Sequence, residues 1–361
     1  MKSVIGKNIT YTLYGESHGA AIGIVIDGLP AGIHIDLEQL QAMMNLRKAK
    51  GKISTQRHEG DEVKFISGLF QGYTTGTPLH LQIENTNTRS KDYHPELLRP
   101  SHADYVAYKK YHGYQDYRGG GHFSGRLTAP IVAAGAIAMQ ILKQKEIQIG
   151  THIKQCMNII DDDFQDYPYD LNQLSKSEIA MLNEEKKNQL IQLVEQAALN
   201  SDSLGAVLET AIINLPKGIG EPFFHSVESE LSRYLFSIPA VKGIEFGLGF
   251  EFAKHYGSEV NDRLISQNGE IKTETNHNAG INGGITNGLP IIFKTVIKPT
   301  PSIFQTQKTV NYETKENCEI TIQGRHDPAI FHRARIVIDA MCAMCILDLL
   351  VERYGCEGLV E

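Results

Sequence analysis

Four short clusters in this 361-residue chain hold the side chains best suited to chemistry. Gly15-Glu16-Ser17-His18-Gly19 presents an acid, a hydroxyl and an imidazole on a turn bracketed by glycines. Ser101-His102-Ala103-Asp104 sets a second imidazole three residues after Pro-flanked Arg99. Gly113 to Ala129 contains three consecutive glycines, Gly119 to Gly121, flanked by Arg118 and Arg126 and followed by an apolar run, Pro130 to Leu142. Glycines leave backbone amides unshielded and free to take φ > 0, and ahead of a helix N-terminus such amides attract an anion. Gly324-Arg325-His326-Asp327-Pro328 places an aspartate beside an Arg-His pair. Together these groups suit proton transfer on an anionic substrate, with a phosphate-bearing cofactor close by.

Two other readings use the same residues. A metal-dependent phosphohydrolase would draw on His18, His102, His326 and Asp327, but no His-x-x-x-His or Asp-x-Asp spacing joins them. A non-catalytic anion or nucleotide sensor would use the glycine loops only to bind. Composition narrows the partners. Hydrophobic content of 41% and charged content of 21% describe a globular chain, and a net charge of −7 argues against general nucleic-acid binding. Basic residues are nonetheless concentrated: Arg47, Lys48, Lys50, Lys52 and Arg57 fall between Glu38 and Glu59, where no acid occurs. Arg89, Lys91, Arg99, Lys109, Lys110, Arg118 and Arg126 form a second concentration with His94, His102, His112 and His122. Such segments in an acidic protein indicate a cleft that focuses small anions. Five scattered cysteines argue against a disulfide framework, and Cys342-Ala-Met-Cys345 lies in an apolar run where buried thiols pack as small hydrophobes. With no apolar region at the N-terminus and no membrane-spanning run, the expected location is cytoplasmic, away from membranes.

The elements that must position these groups are legible from periodicity. Residues 9–14 and 21–27 are expected as strands, with Asp36 as N-cap of a helix to about Ala49. Strands are expected near 62–66 and 79–84. Ser101 to Asp104 has the form of a capping box, which would put His102 in the first turn of a helix, where the positive helix end lowers its pKa and a nearby phosphate raises it. A strand over 146–156 and a polar segment, about 157–203 with a helix over 184–199, read as the edge of the body and a peripheral insertion. Strands over 290–297 and 318–323 and a long buried helix over 333–353 complete the second half. Ile26-Asp27-Gly28-Leu29-Pro30-Ala31-Gly32-Ile33 is echoed by Ile212-Ile213-Asn214-Leu215-Pro216-Lys217-Gly218-Ile219. The echo implies two related halves, each pairing an antiparallel sheet with helices. No linker divides the chain, so residues 1–361 are expected as one α+β domain.

The motifs Gly15 to Gly19, Arg99 to Asp104, Asp116-Tyr117-Arg118-Gly119-Gly120-Gly121 and Gly324 to Pro328, in this order, make the sequence similar to the chorismate synthase family along essentially its whole length. The resemblance implies a β-α-β sandwich, helices layered between two antiparallel sheets with pseudo-repeated halves, assembled as a homotetramer. It implies an anti-1,4-elimination of phosphate from 5-enolpyruvylshikimate 3-phosphate, giving chorismate for aromatic amino-acid biosynthesis by the shikimate pathway. Reduced FMN is required, with no net redox change. In such a member His18 protonates the departing phosphate, His102 protonates or stabilises the reduced flavin near its N1 and O2 edge, and Asp327 relays the ring proton through flavin N5. The resemblance leaves the two histidine roles interchangeable. Arg47, Lys52, Arg126 and Arg325 match positions around the substrate and the flavin phosphate. His122, Phe123, Ser124, Ala240, Gly283, Lys298, Pro299, Thr300, Pro301, Ser302 and Arg325 match flavin positions. Members reduce the flavin with NADPH themselves or rely on an external flavin reductase, and the lack of a spare domain favours the external route. Two departures stand out. Where many members have Arg-Ser-Ser-Ala-Arg-Glu-Thr, this chain has His122-Phe123-Ser124-Gly125-Arg126-Leu127-Thr128. Leu46-Arg47-Lys48-Ala49-Lys50 replaces an arginine cluster, and lysine lacks the planar fork that grips a carboxylate.

Overall fold

The computed structural model describes residues 3–48, 60–86, 96–322 and 327–360. Alternating isoleucines build the first sheet: β1 (Val4–Ile5), β2 (Thr10–Gly15) and β3 (Ala21–Asp27) are antiparallel, and Ile22, Ile24 and Ile26 of β3 are buried. After β4 (Ala31–His34) come β5 (Lys64–Ser67), β6 (Leu69–Phe70), β7 (Tyr73–Thr75) and β8 (Leu79–Glu84). The sheet order is β1-β2-β3-β8-β5. The second half contributes β9 (Gln148–Cys156), β10 (Ile159–Ile160), β11 (Ala206–Ile213) and β12 (Val241–Phe246). It continues with hairpins β13 (Leu264–Gln267) with β14 (Glu270–Thr273) and β15 (Ile281–Asn282) with β16 (Ile285–Thr286), then β17 (Ile291–Ile297). The second antiparallel sheet runs β10-β9-β11-β17-β12, and β18 (Gln307–Val310) pairs with β19 (Asn317–Ile320).

Helices α1 (Leu37–Arg47), α2 (Asp104–Tyr111), α3 (Thr128–Gln144), α4 (Tyr167–Leu174), α5 (Glu184–Leu199), α6 (Val227–Leu235), the one-turn α7 (Gly257–Val260) and α8 (Phe331–Tyr354) complete an α+β fold. Asp36 caps α1 as its position suggests, accepting from the amides of Glu38 and Gln39. α3 and α8 are buried along most of their length because both are apolar on nearly every face. They cross where a Cβ on Gly135 would lie 2.2 Å from Cβ of Ala340, so only glycine permits this approach. α3 touches β3 and β8 of the first sheet and β9 of the second, while α8 packs on β9 and β11. The stretch Gly125–Gln144 is apolar enough to cross a membrane by composition, yet most of it is buried in this core. All five cysteines are free, and Cys342 and Cys345 are buried on α8.

Two passages are built alike. At the first, Gly28 and Gly32 have φ of 98° and 91°, and Thr74 Oγ1 donates to Pro30 O (2.7 Å) while accepting from Ile33 N (2.9 Å). At the second, Asn214 and Gly218 have φ of 63° and 90°, and Thr286 Oγ1 donates to Pro216 O (2.6 Å) while accepting from Ile219 N (2.9 Å). The strand orders match as well, β2-β3-β8-β5 against β9-β11-β17-β12.

The expectation for Ser101 to Asp104 is corrected. α2 begins at Asp104, its N-cap Ala103 makes no side-chain bond, and Ser101 has a φ of 58°. Asp104 turns instead to Arg99, accepting from Nε (2.8 Å), Nη2 (2.7 Å) and the backbone amide (3.1 Å). A bidentate ion pair outcompetes a capping bond, so His102 precedes the helix rather than sitting in its first turn. The strand expected over 318–323 ends at Ile320.

Candidate active site

The glycine triplet adopts the backbone its composition suggests, with φ of 60°, 81° and 54° at Gly119, Gly120 and Gly121. This turn is sewn to the first histidine loop. Ser17 Oγ donates to Gly119 O (2.9 Å) and Arg118 O (3.2 Å), and Ser17 N donates to Gly121 O (3.2 Å). The His18 ring packs directly on Gly119, where an added Cβ would lie 2.5 Å from both Cδ2 and Nε2. Arg118 is not turned toward an incoming anion as its place beside the glycines suggests: it grips Asp116 through Nε and Nη2, both at 2.8 Å. Those bonds hold the Asp116 carboxyl below its ordinary value, with His18 adding to the effect.

A cleft of about 810 Å³ opens over the turn. Gly119, Gly120, Phe123, Ser124 and Gly125 line it together with His102, Asp116 and Ser302, and Leu97, Leu98, Ile320 and Ile322 give it apolar wall. His102 Nε2 and Ser302 Oγ share a hydrogen bond of 2.7 Å. Lys298 Nζ donates to Ser101 O (2.9 Å), so both ends of the 298–302 run are tied to the loop that carries His102. Burial, reinforced by Lys242, lowers the Lys298 pKa. Ala240, with φ of 76°, accepts from Lys298 N (2.9 Å) and so belongs to the same neighbourhood. Pro299 packs at Gly205, Thr300 O accepts from Ser203 Oγ (2.6 Å), and Pro301 O accepts from Gln307 Nε2 (3.3 Å).

Not every expected residue joins this cleft. His122 Nδ1 bonds Gly15 O (2.8 Å) and its Nε2 bonds Ser3 Oγ (3.3 Å); it lines a neighbouring pocket of about 420 Å³ with Ser124, Ser237 and Pro239. Gly283 occupies the exposed turn between β15 and β16, where an added Cβ meets nothing within 4 Å. Asp327 is buried, accepts from Arg333 Nη1 (2.9 Å) and Ala329 N (3.4 Å), and does not line the cleft. Lys52 and Arg325, with Lys50, Arg57, Arg89, Lys91, His94 and His326, lie outside the described residues.

Arg47 and Arg126 do come together, on a residue that the sequence did not single out. Asp61 Oδ2 accepts from Arg47 Nη1 (2.9 Å), and Asp61 Oδ1 accepts from Arg126 Nη1. The three side chains are 1% to 5% exposed, which makes this a buried ion cluster. Arg47 adds Nε to Thr128 Oγ1 (3.1 Å), and Arg126 adds Nε to Asn85 Oδ1 (3.1 Å). Asp61 sits in Gly60-Asp61-Glu62 and Asn85 in a polar loop, where neither periodicity nor motif marks them. Gln115 is also new: its Oε1 is buried with no hydrogen-bond partner among the described residues, and the residue lines the cleft.

An α+β body that places His102, a glycine turn and the Arg99–Asp104 ion pair on one cleft, with His18 packed against the turn, has the make-up of an enzyme that moves protons on an anionic substrate. The family can be stated more closely. The family model described as chorismate synthase matches residues 9–351, and the chain belongs to that family. The chorismate synthase of Thermococcus gammatolerans is 41% identical, covering 99% of each chain, and that of Pyrococcus abyssi is 42% identical over 96% of this chain and 97% of its own. The chorismate synthase of Lachnoclostridium phytofermentans is 44% identical over 97% of this chain and 95% of its own. A crystal structure of chorismate synthase superposes with a TM-score of 0.75 at 25% identity, covering 97% of this chain and 94% of that one. Membership makes the chain a carbon-oxygen lyase of aromatic amino-acid biosynthesis and sets aside the phosphohydrolase and sensor alternatives.

Proposed function

We propose that the cleft over Gly119 to Gly125 is where this lyase eliminates phosphate from 5-enolpyruvylshikimate 3-phosphate to give chorismate, with reduced FMN bound alongside. The observation that carries this is the convergence of the glycine turn, His102 and Ser302 on one cleft, with His18 packed against the turn. Apolar walls from Leu97, Leu98, Ile320 and Ile322, the rings of Tyr108, Tyr117 and Phe123, and the unsatisfied buried Oε1 of Gln115 fit a flat, polar-edged ring system. Phe123, Ser124, His102, Gln115 and Ser302 would hold it. Reduced flavin, when bound, supplies electron density to the substrate without net oxidation.

The protein's own groups give and take the protons. His18 is assigned the proton for the departing phosphate; Gly119 lets that ring approach closely, and the 2.9 Å Ser17 bond to Gly119 O fixes the loop. His102 keeps its orientation through Ser302, whose hydroxyl donates or accepts and so suits either tautomer. Asp327, anchored by Arg333, is assigned the ring proton at the end of its path. Arg47 and Arg126, with Lys52 and Arg325, are assigned to the substrate's carboxylates and phosphate.

The same reading extends to the whole chain. We take residues 1–361 as one domain, a β-α-β sandwich of two related halves, a reading that the matched threonine bridges and strand orders support, with about 157–203 as a peripheral insertion. The assembly is a homotetramer, and the flavin is reduced by an external reductase or by NADPH. Anaerobic protein with reduced FMN is expected to release phosphate from 5-enolpyruvylshikimate 3-phosphate, while oxidised FMN alone gives none. Equal release without any flavin would overturn the proposal.

A further inference from the structure

We infer that Asn85 is a positioning residue that couples the Arg126 guanidinium to the loop carrying His18. The inference rests on the lyase reading above. Asn85 follows β8 directly, and its three side-chain bonds reach two separate parts of the site. Oδ1 accepts from Arg126 Nε (3.1 Å); Nδ2 donates to Glu16 O (3.0 Å) and to Gly19 O (2.9 Å). Its backbone amide also donates to Ala20 O (3.1 Å). The amide orientation is dictated by chemistry, because guanidinium has only donors and the two backbone carbonyls only accept. Glu16 and Gly19 bracket Ser17 and His18, so Nδ2 closes the histidine loop at both ends. Arg126 is itself held from the far side by Asp61 and by Glu84 O (3.4 Å to Nη2). A shift of Arg126 on meeting a substrate anion is therefore passed through one amide to the backbone that aims His18.

Aspartate matches asparagine in size, keeps an acceptor for Arg126 and loses both donors, so it separates the two halves of the role. For Asn85→Asp the expected result is a KM within about threefold of wild type, with kcat reduced on the order of 10²-fold, the scale of a misaimed catalytic group. For Asn85→Ala, which loses both halves, KM rises as well. The expected pH profile of kcat shifts in Asn85→Asp and not in a control variant at exposed Asn200. A purely structural role would lower the thermal midpoint of both variants and leave kcat and its pH profile unchanged, which would overturn the inference, as would a rise in KM alone for Asn85→Asp. If wild type forms no chorismate, the lyase reading itself fails; if wild type turns over and Asn85→Asp matches it, only this inference fails.

Discussion

Asp61 carries more of the site than any motif suggests. It is a carboxylate held between two guanidinium groups in the protein interior, and its backbone φ of 48° lies in the left-handed region that non-glycine residues seldom occupy. Breaking a buried ion pair by removing one partner leaves the other charge uncompensated, at about 3–5 kcal/mol. Asp61→Ala is therefore expected to lower stability by roughly that amount in denaturant unfolding; a loss under about 1 kcal/mol, the scale of an exposed pair, would show that the cluster is wet and weak. Ser302→Ala removes the oxygen that orients His102, and turnover is expected to fall about tenfold, near the worth of one hydrogen bond, with unchanged kcat as the contradicting result. His102, which lines the cleft, and Arg47 and Arg126, which meet on Asp61, stand out in the sequence because their types and neighbours are unusual. Asp61 and Asn85 do not, since a buried polar partner has no sequence signature before the fold brings Arg126 to it across 65 and 41 positions.

At the scale of elements, the glycine turn and the edge of the second sheet make separate predictions. Gly119→Ala forces a Cβ against the His18 ring at a φ that costs L-residues about 1–2 kcal/mol. Turnover is expected to drop on the order of 10²-fold while the protein still folds; wild-type turnover would mean that the ring does not act from this position. On β9, His152 is fully buried, with Nδ1 bonded to Asp161 Oδ2 (2.8 Å) and Nε2 to Glu209 Oε2 (3.1 Å). Asp161 also accepts from Leu182 N (2.7 Å) and Asn183 N (3.0 Å), so this cluster fastens the segment before α5 to the sheet. Burial opposes charge on His152, but the two carboxylates outweigh it and hold its pKa above 6.5. Its contribution is thus complete below pH 6.5 and lost as pH rises through the raised value. The thermal midpoint should fall as pH rises above 6.5 through the raised value in wild type and flatten in His152→Gln; identical slopes would contradict this. The apolar helices α3 and α8 were read to within two residues at each end, and α5 (Glu184–Leu199) at its full length. The capping box failed because Asp104 had a stronger partner in Arg99 than any amide, a choice that spacing alone does not disclose.

The two five-stranded sheets are joined through α3, which touches both, and the cleft lies where the loop carrying His102 meets the 298–302 run. That meeting explains what the sequence made visible. The fold class followed from periodicity, and the echo around Pro30 and Pro216 pointed to positions that share a threonine bridge. The bridging residues, Thr74 and Thr286, lie 44 and 70 positions away and could not be read from the echo. The cleft itself is a long-range product, since His102 and Ser302 are 200 residues apart. Chorismate formation measured anaerobically with reduced FMN, for wild type and for His18→Ala and His102→Ala, tests the two histidine roles most directly. Wild type should turn over while each folded variant loses at least about 10²-fold, the usual share of a general acid; wild-type turnover in either folded variant would contradict the assignment of that histidine to the chemistry.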